Sequence, residues 1–167
     1  MITEILGNIT ETTCLVMVNA SNGVGYMGGK RCTNMLCRGV AETMQFATHG
    51  KIEIASRRSV KERSWLRSII GIAPGDYFVT ESCGLPCTYV FHAVTMRFPG
   101  SRSKVSWVKQ CLLNLKSFCE EHALYDVALP YIGCGNGAVP KEILAELVNA
   151  TFIESFWDIK LVDYVNH

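Results

Sequence analysis

An apolar run that stops at a loop of asparagines and glycines constrains this chain more than any other feature. Leu15, Val16, Met17 and Val18 form an unbroken apolar segment within 14–20, the pattern of a short buried strand. The segment delivers Asn19-Ala20-Ser21-Asn22, then Gly23-Val24-Gly25-Tyr26-Met27-Gly28-Gly29-Lys30, into one loop. Glycines let backbone approach a polar ligand closely, and amide side chains accept and donate at once. The design recurs later: an apolar strand predicted over 125–132 runs into Ile132-Gly133-Cys134-Gly135-Asn136-Gly137-Ala138-Val139-Pro140. Two such loops point to one nucleotide site between them.

The rest of the chain alternates in the same way. Leu36, Val40 and Met44 recur every fourth position from Cys32 to Phe46, the buried stripe of a helix starting just after Lys30 with its N-terminus aimed at the first loop. Strands are predicted over 77–80, 88–94 and 158–165. Helices are predicted over 104–122, on a stripe of Val108, Leu112, Leu115 and Cys119, and over 141–156, on Leu144, Val148 and Phe152. Strands alternating with helices imply an α/β sheet covered on both faces. No repeat, low-complexity stretch or linker breaks the pattern, and the length suits one domain, 1–167.

Composition narrows the function classes. A formal charge of +1 creates no long-range field toward nucleic acid or membrane, so any anion site must be local. The basic segment 51–72, with Arg57, Arg58, Lys61, Arg63 and Arg67 around Trp65, is diluted by Glu53 and Glu62 and reads as a solvated face; a single-stranded RNA platform is the alternative. Eight cysteines do not indicate a disulfide scaffold in a chain with this much core, and no signal-peptide pattern opens it, so a soluble protein of the reducing cytoplasm is expected. No apolar run approaches the roughly 20 residues of a membrane span. Cys83 and Cys87 lack a second ligand pair at zinc spacing, so no metal is expected, and no cofactor. His92 falls within an alternating strand and reads as structural.

The chemistry of the loops can be read residue by residue. Glycines at 133, 135 and 137 free backbone N–H groups, and the following helix adds the positive end of its dipole, so a diphosphate fits without a basic side chain. An ordinary strand-to-helix turn would use glycine as well. Asn19 reads equally as a buried organiser or a ligand contact. Lys30 could neutralise phosphate or activate a nucleophile; the alternative is a solvent-facing ion pair.

In their order along the chain, Gly7-Asn8-Ile9-Thr10, Val18-Asn19-Ala20-Ser21-Asn22, Gly75-Asp76-Tyr77-Phe78-Val79-Thr80, Val90-Phe91-His92-Ala93-Val94 and Leu129-Pro130-Tyr131-Ile132-Gly133-Cys134-Gly135 resemble the blocks of the macro domain family. The resemblance implies a three-layer α/β/α fold with a central mixed sheet and a pocket for ADP-ribose or the ADP-ribosyl group of a modified protein. It implies that Gly133, Cys134, Gly135, Asn136 and Gly137 contact the phosphates and distal ribose through backbone, with Asn22, Gly28 and Gly29 beside that ribose. It further implies that Tyr164 packs on the adenine, the alternative being a half-buried strand tyrosine, near the backbone N–H of Ile9, and that Asn8 stands where the family reads the adenine amine with an aspartate. An amide oxygen can accept there too, without the charge that roughly doubles such a bond.

Family members include binding modules and hydrolases of ADP-ribosyl esters, and both readings stay open. One branch's catalytic aspartate corresponds to Cys32. Another branch's aspartate corresponds to Gly137, and its helix lysine has no counterpart in 32–46. Asn22 and Lys30 are left as the candidates to position a water against the ligand's own diphosphate. Gly137 also stands where many members carry an aromatic, so a larger terminal group could be accommodated.

Overall fold

The computed structural model describes residues 1–28, 39–63 and 66–164. Six strands form one sheet: β1 (Ile2–Gly7), β2 (Val16–Asn22), β3 (Tyr77–Glu81), β4 (Tyr89–Met96), β5 (Asp126–Pro130) and β6 (Asp158–Tyr164), in the spatial order β1-β6-β5-β2-β4-β3. Every pairing is parallel except that of the edge strand β3, which runs antiparallel to β4, so the sheet is mixed as expected.

Helices cover both faces. α4 (Val105–His122) and α5 (Lys141–Thr151) pack Val108, Leu112, Leu115, Leu144 and Val148 against Val16, Val18 and Phe91. On the other face α1 (Val40–Ala47) and α2 (Lys51–Arg63) bring Met44 and Ile52 against Met17 and Val90. Successive β2 residues thus enter opposite layers, which is why that strand reads as an unbroken apolar run. A short helix, α3 (Arg67–Ile70), follows α2.

The differences from the sequence expectations have local causes. Strand β1 escapes the pattern because it is an edge strand of exposed and half-buried residues, Leu6 among the exposed, so no clean alternation marks it. Helix α5 ends at Thr151 rather than at 156: Phe152 leaves helical geometry and stacks edge-on against Trp157, 4.8 Å between centroids, turning the chain into β6. Strand β5 ends at Pro130, where the Ile132 N–H turns back to the Pro130 carbonyl at 2.7 Å. The expected helix over 32–46 is described only from Val40, and residues 29–38 lie outside the described residues.

In the basic segment α2 buries Ile52, Ser56 and Val60 and turns its charges outward. Arg58 pairs with Glu62, Arg63 with Asp76, and Arg57 lies 5.8 Å over the Tyr26 ring. Trp65, on which the RNA alternative relied, lies outside the described residues. Among the described residues no helix is long and apolar enough to cross a membrane.

Candidate functional site: a cleft at the sheet's switch point

β2 and β5 are neighbours, pairing Val16 with Val127 and Met17 with Ala128. The chain leaves β2 toward α1 and α2 on one face, and leaves β5 toward α5 on the other. Where connections diverge like this, a crevice opens at the carboxyl ends of the strands. A cleft of about 620 Å³ lies there, with the residues after β2 on one side and the loop after β5 on the other. Its walls come from the described parts of the two glycine-rich loops singled out in the sequence.

The first wall is organised by Asn22. Its Oδ1 accepts from the N–H groups of Val24 and Tyr26, both at 3.2 Å, and its Nδ2 donates to the Tyr26 carbonyl at 2.6 Å. The side chain lines the cleft and is mostly spent on the loop itself. Asn19 takes a different part: it is fully buried, absent from the cleft lining, and its Nδ2 lies 3.1 Å from Nδ1 of His92. His92 Nε2 lies 2.9 Å from Thr80 Oγ1, and the ring stacks on Phe78. Burial pushes the His92 pKa down to about 3, so the imidazole is neutral. Farther along the wall Gly28 has φ +103°, and a β-carbon there would stand 2.5 Å from Glu42 Cγ. The positive φ is what favours glycine there, since the Glu42 side chain can turn aside.

The second wall is built on two glycines. Gly133 has φ +77°, and its carbonyl accepts from the Val139 N–H at 3.0 Å. A β-carbon on Gly137 would lie 2.3 Å from that carbonyl oxygen and 2.7 Å from Ser103 Cβ. The loop therefore folds onto itself at a point that admits no side chain. Among the described residues no acceptor takes the N–H groups of Gly135, Asn136 or Gly137, and α5 begins just beyond. Free N–H groups beside a helix N-terminus can cradle an anion. Cys134 lines the same wall, and burial pushes its thiol up to about 11, so no thiolate is available.

At the other end Tyr164 is pinned by Thr43, the two hydroxyl oxygens 2.9 Å apart. Gly7 pairs with Tyr164 across β1 and β6, which brings the following Asn8 to this end of the sheet. Asn8 Oδ1 accepts from the Thr10 N–H at 3.1 Å and the Thr10 hydroxyl at 2.8 Å, so it caps a turn of 3-10 helix over Ile9–Glu11. Ile9 is buried in the core, and neither it nor Asn8 is among the residues lining the cleft.

The structure thus gathers Asn22, Gly28, Gly133, Cys134, Gly135, Asn136, Gly137 and Tyr164 around one cleft, and separates Asn8, Ile9 and Asn19 from its lining. Gly29 and Lys30 lie outside the described residues. Sequence reasoning passed over Glu42, Thr95, Lys141 and Asp163, which also line the cleft. Lys141 could have been found from its place right after the glycine loop. Its Nζ lies 2.6 Å from Asp163 and 5.0 Å over the Tyr131 ring, and the bond to Asp163 holds its pKa above the usual value. Glu42 becomes visible only once the start of α1 is known.

Comparisons with known proteins converge on one family. The family model described as Macro domain matches residues 18–148. O-acetyl-ADP-ribose deacetylase 1 of Pantoea vagans is 26% identical over 147 residues, covering 87% of this chain and 77% of that protein. The macrodomain of Mycobacterium tuberculosis DarG superposes with a TM-score of 0.77 at 22% identity, covering 98% of this chain and 97% of that one. A Trypanosoma brucei macrodomain in complex with ADP-ribose gives a TM-score of 0.70 at 18% identity, covering 98% of this chain and 63% of that one.

Proposed function

This chain belongs to the macro domain family, and from that premise we propose that its cleft binds ADP-ribose, free or carried as an ADP-ribosyl group on a protein. The observation that carries the reading is the meeting of the two loops at the switch point: three N–H groups without acceptors among the described residues on one side, an asparagine-braced loop on the other. The diphosphate goes to Gly135, Asn136 and Gly137 at the start of α5. The distal ribose goes between Gly28 and the Asn22 loop, with Gly29 and Lys30 as further contacts. The adenine goes toward Tyr164, while Asn8 and Ile9, outside the cleft lining, hold the turn of 3-10 helix at that end of the sheet. Calorimetric titration tests this: ADP-ribose binds tightly and selectively over AMP and ATP, and equal or absent binding of ADP-ribose overturns it.

A second reading adds hydrolysis of an ADP-ribosyl or O-acyl-ADP-ribose ester, and one residue favours it. Glu42 places a carboxylate in the cleft against Gly28, beside the proposed distal ribose. A carboxylate there can take the proton of an attacking water, with the diphosphate positioning that water. Turnover of O-acetyl-ADP-ribose and of an ADP-ribosylated protein is the assay. Loss of the base in Glu42→Gln lowers turnover by about a hundredfold or more. Equal turnover in the variant removes Glu42 from the mechanism, and no turnover in the wild type leaves a binding module.

A further inference from the structure

We propose that Thr95 is a ligand-binding residue of the cleft, its hydroxyl bonding an oxygen of the diphosphate or of the adjoining distal ribose. The proposal rests on the ADP-ribose reading above. Thr95 lines the cleft yet is 0% exposed, and its Oγ1 has no hydrogen-bond partner among the described residues. Buried hydroxyls almost always have one, so an orphan on the floor of a cleft calls for a partner that arrives with the ligand.

The backbone explains why the hydroxyl is left over. Ser21 pairs with Val94 and Asn22 with Met96, so Thr95 is the extra residue of a bulge between β2 and β4. Bulges re-aim a side chain out of the regular ladder. The carbonyls on either side are occupied: that of Val94 accepts from the Gly75 N–H and the Cys111 thiol, and that of Met96 accepts from the Gly23 N–H. Gly23 follows Asn22 directly, so the bulge sits at the root of the first wall. Threonine χ1 has more than one staggered well, and a single rotation re-aims Oγ1 without moving backbone. An oxygen-rich ligand supplies the missing partner, since a hydroxyl can donate to phosphate and can both donate to and accept from a sugar.

The test compares wild type, Thr95→Val and Thr95→Ser by calorimetry with ADP-ribose and with ADP, alongside thermal unfolding without ligand. Thr95→Val keeps the shape and deletes the hydroxyl, so it unfolds at the wild-type temperature or above and binds ADP-ribose about tenfold more weakly. Thr95→Ser restores the hydroxyl and binds within about threefold of wild type. Weakening of ADP as well assigns the contact to phosphate; weakening of ADP-ribose alone assigns it to the distal ribose. Unchanged affinity in Thr95→Val, or equal losses in both variants, overturns the assignment while the ADP-ribose reading stands. A wild type that fails to bind ADP-ribose overturns that reading first and this assignment with it.

Discussion

Asn19 on β2 lies directly across from His92 on β4, its amide nitrogen 3.1 Å from Nδ1. An amide nitrogen only donates, so Nδ1 is the accepting nitrogen, and Nε2–H donates to Thr80 Oγ1 at 2.9 Å. Three strands, β2, β4 and β3, are tied together beneath the first wall by one neutral ring. The two asparagines of a single motif therefore divide their work: Asn19 braces the sheet and Asn22 braces the loop.

Stability depends on pH through His92. In the folded protein its pKa is pushed down to about 3, whereas the unfolded chain protonates it near 6.5. Below the unfolded value the unfolded state binds more protons, so its contribution is complete above that value and is lost as pH falls toward the folded one. The loss approaches about 1.4 kcal/mol per pH unit. Urea denaturation across that window shows the slope in the wild type, and His92→Gln flattens it.

Asn22→Ala removes two acceptor contacts and one donor contact from the loop Asn22–Tyr26. A loss of about 1–3 kcal/mol in folding stability is expected, because backbone N–H groups of a half-buried turn are left unpaired. ADP-ribose affinity falls with it. Denaturation and titration of the same sample check that both move; a binding loss at full stability would make Asn22 a direct contact instead.

The glycines of the second wall are not equivalent. Gly137→Ala drives a β-carbon to within 2.3 Å of the Gly133 carbonyl oxygen, so it lowers stability by about 1–3 kcal/mol and removes binding. Gly135→Ala meets nothing within 4 Å and leaves stability within about 0.5 kcal/mol of wild type. Paired denaturation curves separate the two.

Cys134 is a wall residue and not a nucleophile. Its thiol, pushed up to about 11, stays protonated at neutral pH. Alkylation by iodoacetamide at neutral pH is slow at this position, and any ester turnover survives in Cys134→Ala. Fast, selective labelling of Cys134 by mass spectrometry would overturn this.

The sheet's core strands, the α4 and α5 stripes and both glycine loops were legible because each rests on local periodicity or on a residue type with few uses. The unbroken run through Val16, Met17 and Val18 already stated that β2 is covered on both faces, while Leu15, just before the strand, is exposed. The eclipse of strand β1 and the early end of α5 were not legible, since an edge strand with half-exposed residues carries weak alternation and Phe152 follows helical spacing until Trp157 captures its ring.

The amino-acid order by itself determined that two ligand-friendly loops exist and that each follows a buried strand, because a strand's apolar run and a glycine's freedom are local properties. Only the tertiary structure decided which residues share the cleft. Sheet order made β2 and β5 neighbours, and a one-residue bulge set Thr95 on the cleft floor with its hydroxyl unpaired among the described residues. It also turned Asn19 toward His92 and spent Asn8 on capping Thr10. Those outcomes depend on the register between strands far apart in the chain, and on competition among hydrogen-bond partners that no local pattern records.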